Sequence, residues 1–241
     1  TEFVGRARAD RDPRDVAVPR AGDRRAASSC PWDACAAILA SQADAHALVP
    51  MGQLAAALGV VPGTATTMMK TLAESGLVRY EPYMGVRLTP AGEKLASLVL
   101  RRHRLIELFL VKVLGMSWTE VHDEAEHLEH AVSERLIDRI DEMLGRPAVD
   151  PHGDPIPTKD GHVDDVGGIL LSEGELNRAY RIIRVRLQDS DRLIYLGTMG
   201  LYPNAHVTLL SRAPFMGPLL IEVEGEHHAL AYDMAEHLVV V

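Results

Sequence analysis

Residues 51–89 read MGQLAAALGVVPGTATTMMKTLAESGLVRYEPYMGVRLT. The punctuation within the stretch sets the order of its elements. The Ala-rich run Met51–Leu58 predicts a short helix stopped by Gly59, because glycine enters the left-handed region without steric cost. Pro62 stands where a second helix can open, since the first-turn N–H groups have no intrahelical partner, and Ser75-Gly76 closes that helix after Glu74. Leu77–Tyr80 and Val86–Thr89 then alternate as strands around a turn at Tyr83-Met84-Gly85. Helix, short turn, helix and hairpin form the winged helix-turn-helix pattern. A helix over Pro31–Gln42, with Trp32, Cys35, Ile38 and Leu39 on its apolar side, precedes the pattern. A long helix over Ala91–Leu114, opened by Pro90, follows it.

The second helix has the side chains of a nucleic-acid reader. Pro62, Gly63, Thr64, Thr66 and Thr67 are small or hydroxylated, which permits close approach to phosphates and base edges, and Lys70 can neutralise a phosphate. Met68, Met69 and Leu72 supply its apolar side, and Arg87 on the hairpin is placed to touch a DNA backbone. An ordinary helical hairpin capped by threonines would share the hydroxyls, but it would not need the hairpin or the charge. The net charge is −9, yet residues 51–104 carry +4 and residues 105–150 carry −7, counting Lys, Arg, Asp and Glu. A basic segment joined to an acidic one fits a DNA-reading unit fused to a cation-binding unit.

The acidic segment contains VHDEAEHLEH, residues 121–130. His122, Glu126, Glu129 and His130 stand at i, i+4, i+7 and i+8, and upstream His103 and Glu107 stand at i, i+4. On helices of about 3.6 residues per turn each set shares one face. Imidazole and carboxylate together suit a borderline divalent transition metal. His103, Glu107 and His122 can hold one ion, and Glu126, Glu129 and His130 a second. A lone His–Glu pair at this spacing is usually a surface pair, whereas two matched sets are not. His127 and Asp123 lie on neighbouring faces. A helix at Ser133–Leu144 carries more apolar residues than a small core needs, as a homodimer interface would require.

Residues 1–28 read as a mobile arm, and residues 147–168 as a Pro/Gly/Asp-rich linker. From about Glu175 the pattern changes to short strands (AYRIIRVRL, HVTLLSRA, PLLIEVEG, HHALAYD, HLVVV) with a helical turn near Asp191–Leu201, as in a small β-barrel. The expected fold class is therefore mainly α with a small β part. It divides into an arm at 1–28, a winged helix-turn-helix at 29–98, a helical metal-binding and dimerisation unit at 99–147, a linker at 148–174 and a barrel at 175–241. Nothing approaches 18 consecutive apolar residues, so no membrane partner is expected. The start lacks the apolar middle of a secretory signal, and Cys30 and Cys35 make no disulfide framework, so a cytoplasmic setting is expected.

Over residues 31–146 the chain resembles the diphtheria toxin repressor family, and within it the manganese transport regulator branch. The resemblance is carried by QLAAALGVVPGTATTMMKTLAESGLVRYEPYMGVRLTPAGEKLA, RRHRLIELFL, VHDEAEHLEH and SERL, with HGDPIP matching the longer members. YLGTMGLYPN and RAPFMGPLLIEV resemble the SH3-like domain shared with ferrous transport protein A. The resemblance implies a dimeric, metal-activated repressor that binds double-stranded operator DNA of metal-uptake genes. It also implies one metal site at His103, Glu107 and His122 and another at Glu126, Glu129 and His130. The iron-responsive branch has cysteine where this chain has Glu126, so manganese(II) is implied ahead of iron(II). A further ligand is implied from the first helix, at Asp33 with Cys35 as rival. Another is implied from the barrel, at Asp189 with Gln188 and Asp191 as alternatives.

Two other classes compete. A di-metal hydrolase or oxidase would need Glu-x-x-His pairs on two helices, and on the expected helices only Glu124 and His127 have that spacing, away from the Glu126 face. No nucleophile with an adjacent base stands out, so no catalysis is expected. A metal-buffering adaptor docked to a transporter would need no promoter binding at all.

Overall fold

A computed structural model describes residues 31–42, 47–164 and 167–241. The arm expected over 1–28 and Cys30 lie outside them. The winged helix-turn-helix comprises α1 (Pro31–Ser41), α2 (Met51–Ala57), α3 (Pro62–Glu74), β1 (Val78–Glu81) and β2 (Gly85–Leu88). The helix stops fall where the glycines predict, with Gly59 and Gly76 at φ 64° and 72°. The strands pair antiparallel from Val78↔Leu88 to Glu81↔Gly85. Val49 adds a bridge to Val86, and a Cβ on Gly85 would meet the Val49 carbonyl at 2.5 Å, so the third backbone needs glycine there. Ile38, Leu54, Met69, Leu72 and Val86 close the core beneath.

Thr89 caps α4 (Pro90–Leu114) by accepting the Gly92 N–H at 3.2 Å. This 25-residue helix runs without interruption from the wing into the next unit, where α5 (Val121–Glu129) and α6 (Glu134–Met143) pack on it. Leu105, Ile106, Leu110, Val121, Ala125, Ile137 and Ile140 form that core. Ser133 caps α6 by accepting the Leu136 N–H. Leu136 and Met143, on the side of α6 away from this core, are exposed.

The segment expected as a linker is, in its first half, a packed strap. His152, Gly153, Asp154, Pro155, Ile156 and Pro157 are all buried. Burial is tolerable because Asp150 Oδ1 accepts the N–H groups of His152 and Asp154, at 2.8 and 2.9 Å, and because two prolines bring no donor that needs a partner. Arg101 Nη1 donates to the Pro157 carbonyl at 3.1 Å and Nη2 to Asp141 at 2.8 Å, while Arg104 donates to the Pro155 carbonyl. The strap is thereby fastened to α4.

Beyond it, β3 (Ile169–Leu170), β4 (Arg178–Val185), β5 (His206–Arg212), β6 (Leu219–Val223), β7 (Glu226–Leu230) and β8 (Leu238–Val240) form one antiparallel sheet, ordered β3-β8-β4-β5-β6-β7. Register shifts at Ile182/Arg184 and Leu209/Ser211 bend it into an SH3-like shell. The helical turn expected near Asp191 is α7 (Ser190–Thr198), and the run expected as a strand through Tyr232-Asp233 ends at Leu230, giving way to α8 (Tyr232–Ala235). Among the described residues no helix is long and apolar enough to cross a membrane.

Candidate metal centre

α4 and α5 bring their polar faces together, and the donors meet there. Glu107 Oε1 lies 3.0 Å from His103 Nε2 and 3.2 Å from His122 Nδ1. The two imidazoles stand edge to face at 4.9 Å. His103, Glu107 and His122 are all buried, and their ligand atoms lie within 4.8 Å of one another. A second cluster joins Asp33, Glu129 and His130. His130 Nε2 is 3.6 Å from both Asp33 Oδ2 and Glu129 Oε1. Glu129 also links the clusters, since its Oε2 lies 2.8 Å from His103 Nδ1.

The pairing differs in one respect from the expected sets. Glu126 Oε1 faces His122 Nε2 at 3.4 Å, with its side chain 44% exposed, and α1 supplies Asp33 as the close partner of Glu129 and His130. The choice between Asp33 and Cys35 follows from the turn of α1. Cys35 is fully buried in the winged-helix core, where desolvation raises its thiol to about 11, while Asp33 faces α5. Asp189 caps α7 by accepting the Arg192 N–H at 2.9 Å. It lies outside the clusters of His, Cys, Asp and Glu donors formed by the described residues, as does Asp191.

A third group, Glu107 with Asp150 and His152, is buried throughout. Sequence reasoning passed over it, although HGDPIP was noted, because its composition signals a loop.

Electrostatics bind the donors to protons when no cation is there. Burial alone would lower the His103 imidazole, but hydrogen bonds to Glu107 and Glu129 outweigh it and raise it to about 10. Burial would likewise lower His122, and Glu107 and Glu126 raise it. Burial would raise Glu107, yet the hydrogen bonds from His103 and His122 hold it well below the carboxylate range. Asp33 is pushed up to about 6 by burial, opposed by His130 and reinforced by Glu129 and Glu126. Asp150 is raised by burial, then by Asp154 and Glu107. These nitrogen and oxygen donors, convergent and anionic, fit a divalent cation of borderline to hard character.

The residues expected to face DNA lie along one side of α3. Pro62, Gly63, Thr64, Thr67 and Lys70 are exposed and Thr66 is half-buried, while Ala65, Met69 and Leu72 face the core. Thr66 and Thr67 donate to the Pro62 and Gly63 carbonyls, at 2.8 and 3.1 Å. Their hydroxyl oxygens keep acceptor capacity outward. Arg87, half-buried, stands 3.9 Å from Glu81 on the same hairpin.

Comparison with known proteins follows the same division. Residues 36–86 match the iron dependent repressor N-terminal DNA binding domain, 89–158 its metal binding and dimerisation domain, and 169–241 the FeoA domain. The iron-dependent repressor IdeR of Mycobacterium tuberculosis is 32% identical over 184 residues, covering 71% of this chain and 80% of its own. The HTH-type transcriptional regulator MntR of Lysinibacillus sphaericus is 37% identical over 94 residues, 39% of this chain and 67% of its own. Among solved structures, a manganese-dependent transcriptional repressor in complex with manganese superposes with a TM-score of 0.81 at 37% identity, covering 88% of this chain and 99% of its own. ScaR with bound cadmium gives 0.76 at 32% identity, with coverage of 88% and 99%. With a winged helix ahead of the donor clusters and a FeoA-type sheet behind them, the chain belongs to the diphtheria toxin repressor family of metal-dependent, DNA-binding transcriptional repressors.

Proposed function

We propose that the protein is a manganese-responsive, homodimeric repressor of metal-uptake genes, working in the cytoplasm and catalysing no reaction. The observation that carries the metal preference is Glu126. It offers a carboxylate beside His122, and Cys35, the one described cysteine, is buried in the winged-helix core, so the described donors are oxygen and nitrogen alone. Carboxylate and imidazole sets suit manganese better than sets containing a soft thiolate.

Asp33, Glu126, Glu129 and His130 hold one ion in this reading, and His103, Glu107 and His122 the other. When bound, a divalent cation supplies the positive charge that lets these carboxylates converge. Asp33 belongs to the winged unit, whereas Glu129 and His130 belong to the helical unit. Their joint engagement therefore fixes the angle between the two units. Without that charge, Asp33, Glu126 and Glu129 repel one another and the angle loosens. Affinity for DNA then depends on metal through the difference in fit of the two arrangements. In the dimer, two α3 helices enter successive major grooves of double-stranded operator DNA, with Thr64, Thr66, Thr67 and Lys70 at the groove, Pro62 and Gly63 permitting close approach and Arg87 reaching a phosphate. The exposed Leu136 and Met143 of α6 supply apolar surface for the dimer contact.

Iron(II) is the second reading, favoured by the length of the match to the iron-dependent repressor. Operator retardation titrated with manganese, ferrous iron and zinc, for the wild type and Glu126→Cys, separates them. Activation of the wild type by manganese, with the variant shifted toward iron, is the expected result. Activation by iron and never by manganese refutes the preference, and an unchanged order in Glu126→Cys removes Glu126 as the selector.

A further inference from the structure

We propose that the tip of the wing, Tyr83 with Met84, enters the minor groove of duplex DNA beside the major groove that α3 reads. The inference rests on the repressor reading and adds a second contact to it. Among the described side chains of the winged unit, the large apolar ones left exposed are Val61, Tyr83 and Met84, at 67%, 104% and 65%. Val61 directly precedes α3, at the end that carries Pro62, Gly63 and Thr64. The other two stand together at the hairpin turn.

The turn itself is the strongest sign. Glu81, Pro82, Tyr83 and Met84 close it, the Met84 N–H donating to the Glu81 carbonyl at 3.1 Å. Pro82 fixes its own φ at about −65°, and Tyr83 sits at φ 65°. That is the type II pattern, whose third place favours glycine or asparagine because it demands the left-handed region. An aromatic side chain there strains the turn and, being fully exposed, recovers nothing from the core. Neither the turn nor the packing of the winged unit therefore calls for Tyr83. Its approach is nonetheless fixed. A Cβ on Gly85 would fall 2.5 Å from the Val49 carbonyl oxygen, and Val49 and Val86 exchange hydrogen bonds at 2.8 and 3.0 Å.

Charge identifies the partner. Val78, Tyr80, Val86 and Leu88 face the winged core, so alternation puts Arg79, Glu81 and Arg87 on the outer face. Arg79 and Arg87 stand directly opposite one another across the strands, a like-charge pair that costs stability in the free hairpin. Glu81 offsets it in part, 3.9 Å from Arg87. Two guanidiniums behind an apolar point match a polyanion whose grooves expose base edges between rows of phosphate. The minor groove, about 6 Å wide, admits side chains and excludes a two-stranded ribbon. Arg79 and Arg87 then lie against the bordering phosphates, while Tyr83 and Met84 press on a base step. Apolar wedges of this kind part the bases and bend the duplex, most easily at pyrimidine–purine steps. The wing therefore selects a flexible pyrimidine–purine step beside each half-site.

Hydroxyl-radical footprinting, which reads the minor groove, tests this with the full chain and manganese chloride on a duplex selected from random sequence by the wild-type protein. The wild type should protect a short minor-groove stretch beside each half-site. Tyr83→Asn suits the turn and lacks the apolar surface. It should lose that protection while keeping its urea midpoint and its manganese affinity, measured without DNA. Its binding to the duplex should weaken about fivefold per wing, roughly 25-fold for the dimer, as half-burial of one apolar side chain would give. Tyr83→Phe should bind like the wild type. Wild-type binding without the flanking protection, equal affinities for Tyr83→Asn and the wild type, or a parallel loss of manganese affinity each overturns the wing contact and leaves the repressor reading standing. If the wild type retains no duplex with manganese, ferrous iron or zinc, the repressor reading falls and the wing contact falls with it.

Discussion

Metal binding at the His103 cluster is expected to expel at least one proton per chain, and affinity should rise steeply with pH. His103 is held protonated up to about pH 10 by Glu107 and Glu129. Its Nε2 faces Glu107 and His122 at 3.0 Å each, so a cation entering there must displace the Nε2 proton, while Nδ1–H stays on Glu129. At pH 7 that displacement costs about 4 kcal/mol, three pH units below the imidazole's midpoint. Between pH 6.5 and 8.5 the imidazole remains protonated in the free protein, so each pH unit should raise the manganese association constant about tenfold, or about 100-fold across the window. His122, also raised, can steepen this. Calorimetric titration with manganese in two buffers of different ionisation enthalpy counts the protons directly. A count of zero, or an affinity flat across the window, would refute the protonated cluster as the competitor of the metal.

Three other outcomes follow from the same geometry. Because the folded pKa of His103 lies above its unfolded value of 6.5, the stability it adds to the metal-free protein is complete below about pH 6.5 and is lost as pH rises toward 10; urea midpoints should fall over that range, and midpoints that rise would contradict the assignment. Asp141→Ala strips Arg101 of its carboxylate and leaves only the Pro157 carbonyl, which should cost about 3 kcal/mol in urea unfolding, and a loss under 1 kcal/mol would mean the pair is solvated. Lys70→Ala should lower the salt dependence of operator binding by about two units of slope, one for each Lys70 of the dimer, with manganese affinity unchanged; a salt slope equal to that of the wild type would remove Lys70 from the phosphate contact.

The winged helix was legible because its boundaries rest on residues with strong backbone preferences. Gly59, Pro62 and Gly76 leave few alternatives, and the hairpin needs Gly85 where Val49 approaches. The donors on α4 and α5 were legible for a related reason, since helical spacing alone places His103 over Glu107 and His122 over Glu126. Asp33 was harder. An Ala-rich α1 shows no clear polar face, so only its packing on the winged core turns Cys35 inward and Asp33 toward His130. The strap was the real omission. Pro, Gly and Asp signal a break in regular structure, and they say nothing about whether the resulting loop is solvated. Its burial depends on partners distant in sequence, among them Arg101, Arg104, Trp118 and Val185. Asp189 rested on a family match to the barrel rather than on spacing, and in the structure its Oδ1 caps α7.

The unbroken α4 has a consequence for how a signal travels. Gly92, near its start, lies so close to the wing that a Cβ would fall 2.0 Å from the Leu77 carbonyl oxygen, while His103 and Glu107 project from the same rod 11 and 15 residues further on. At about 1.5 Å per residue these points are roughly 17 and 22 Å apart. No slack chain separates them, so the two units cannot drift like beads on a tether. The motion left to them is a tilt about a common axle, with α1 as the crank on which Asp33 rides. A shift of an ångström at that crank would become a larger swing at the tip of α3, and the reading head would answer the metal by leverage.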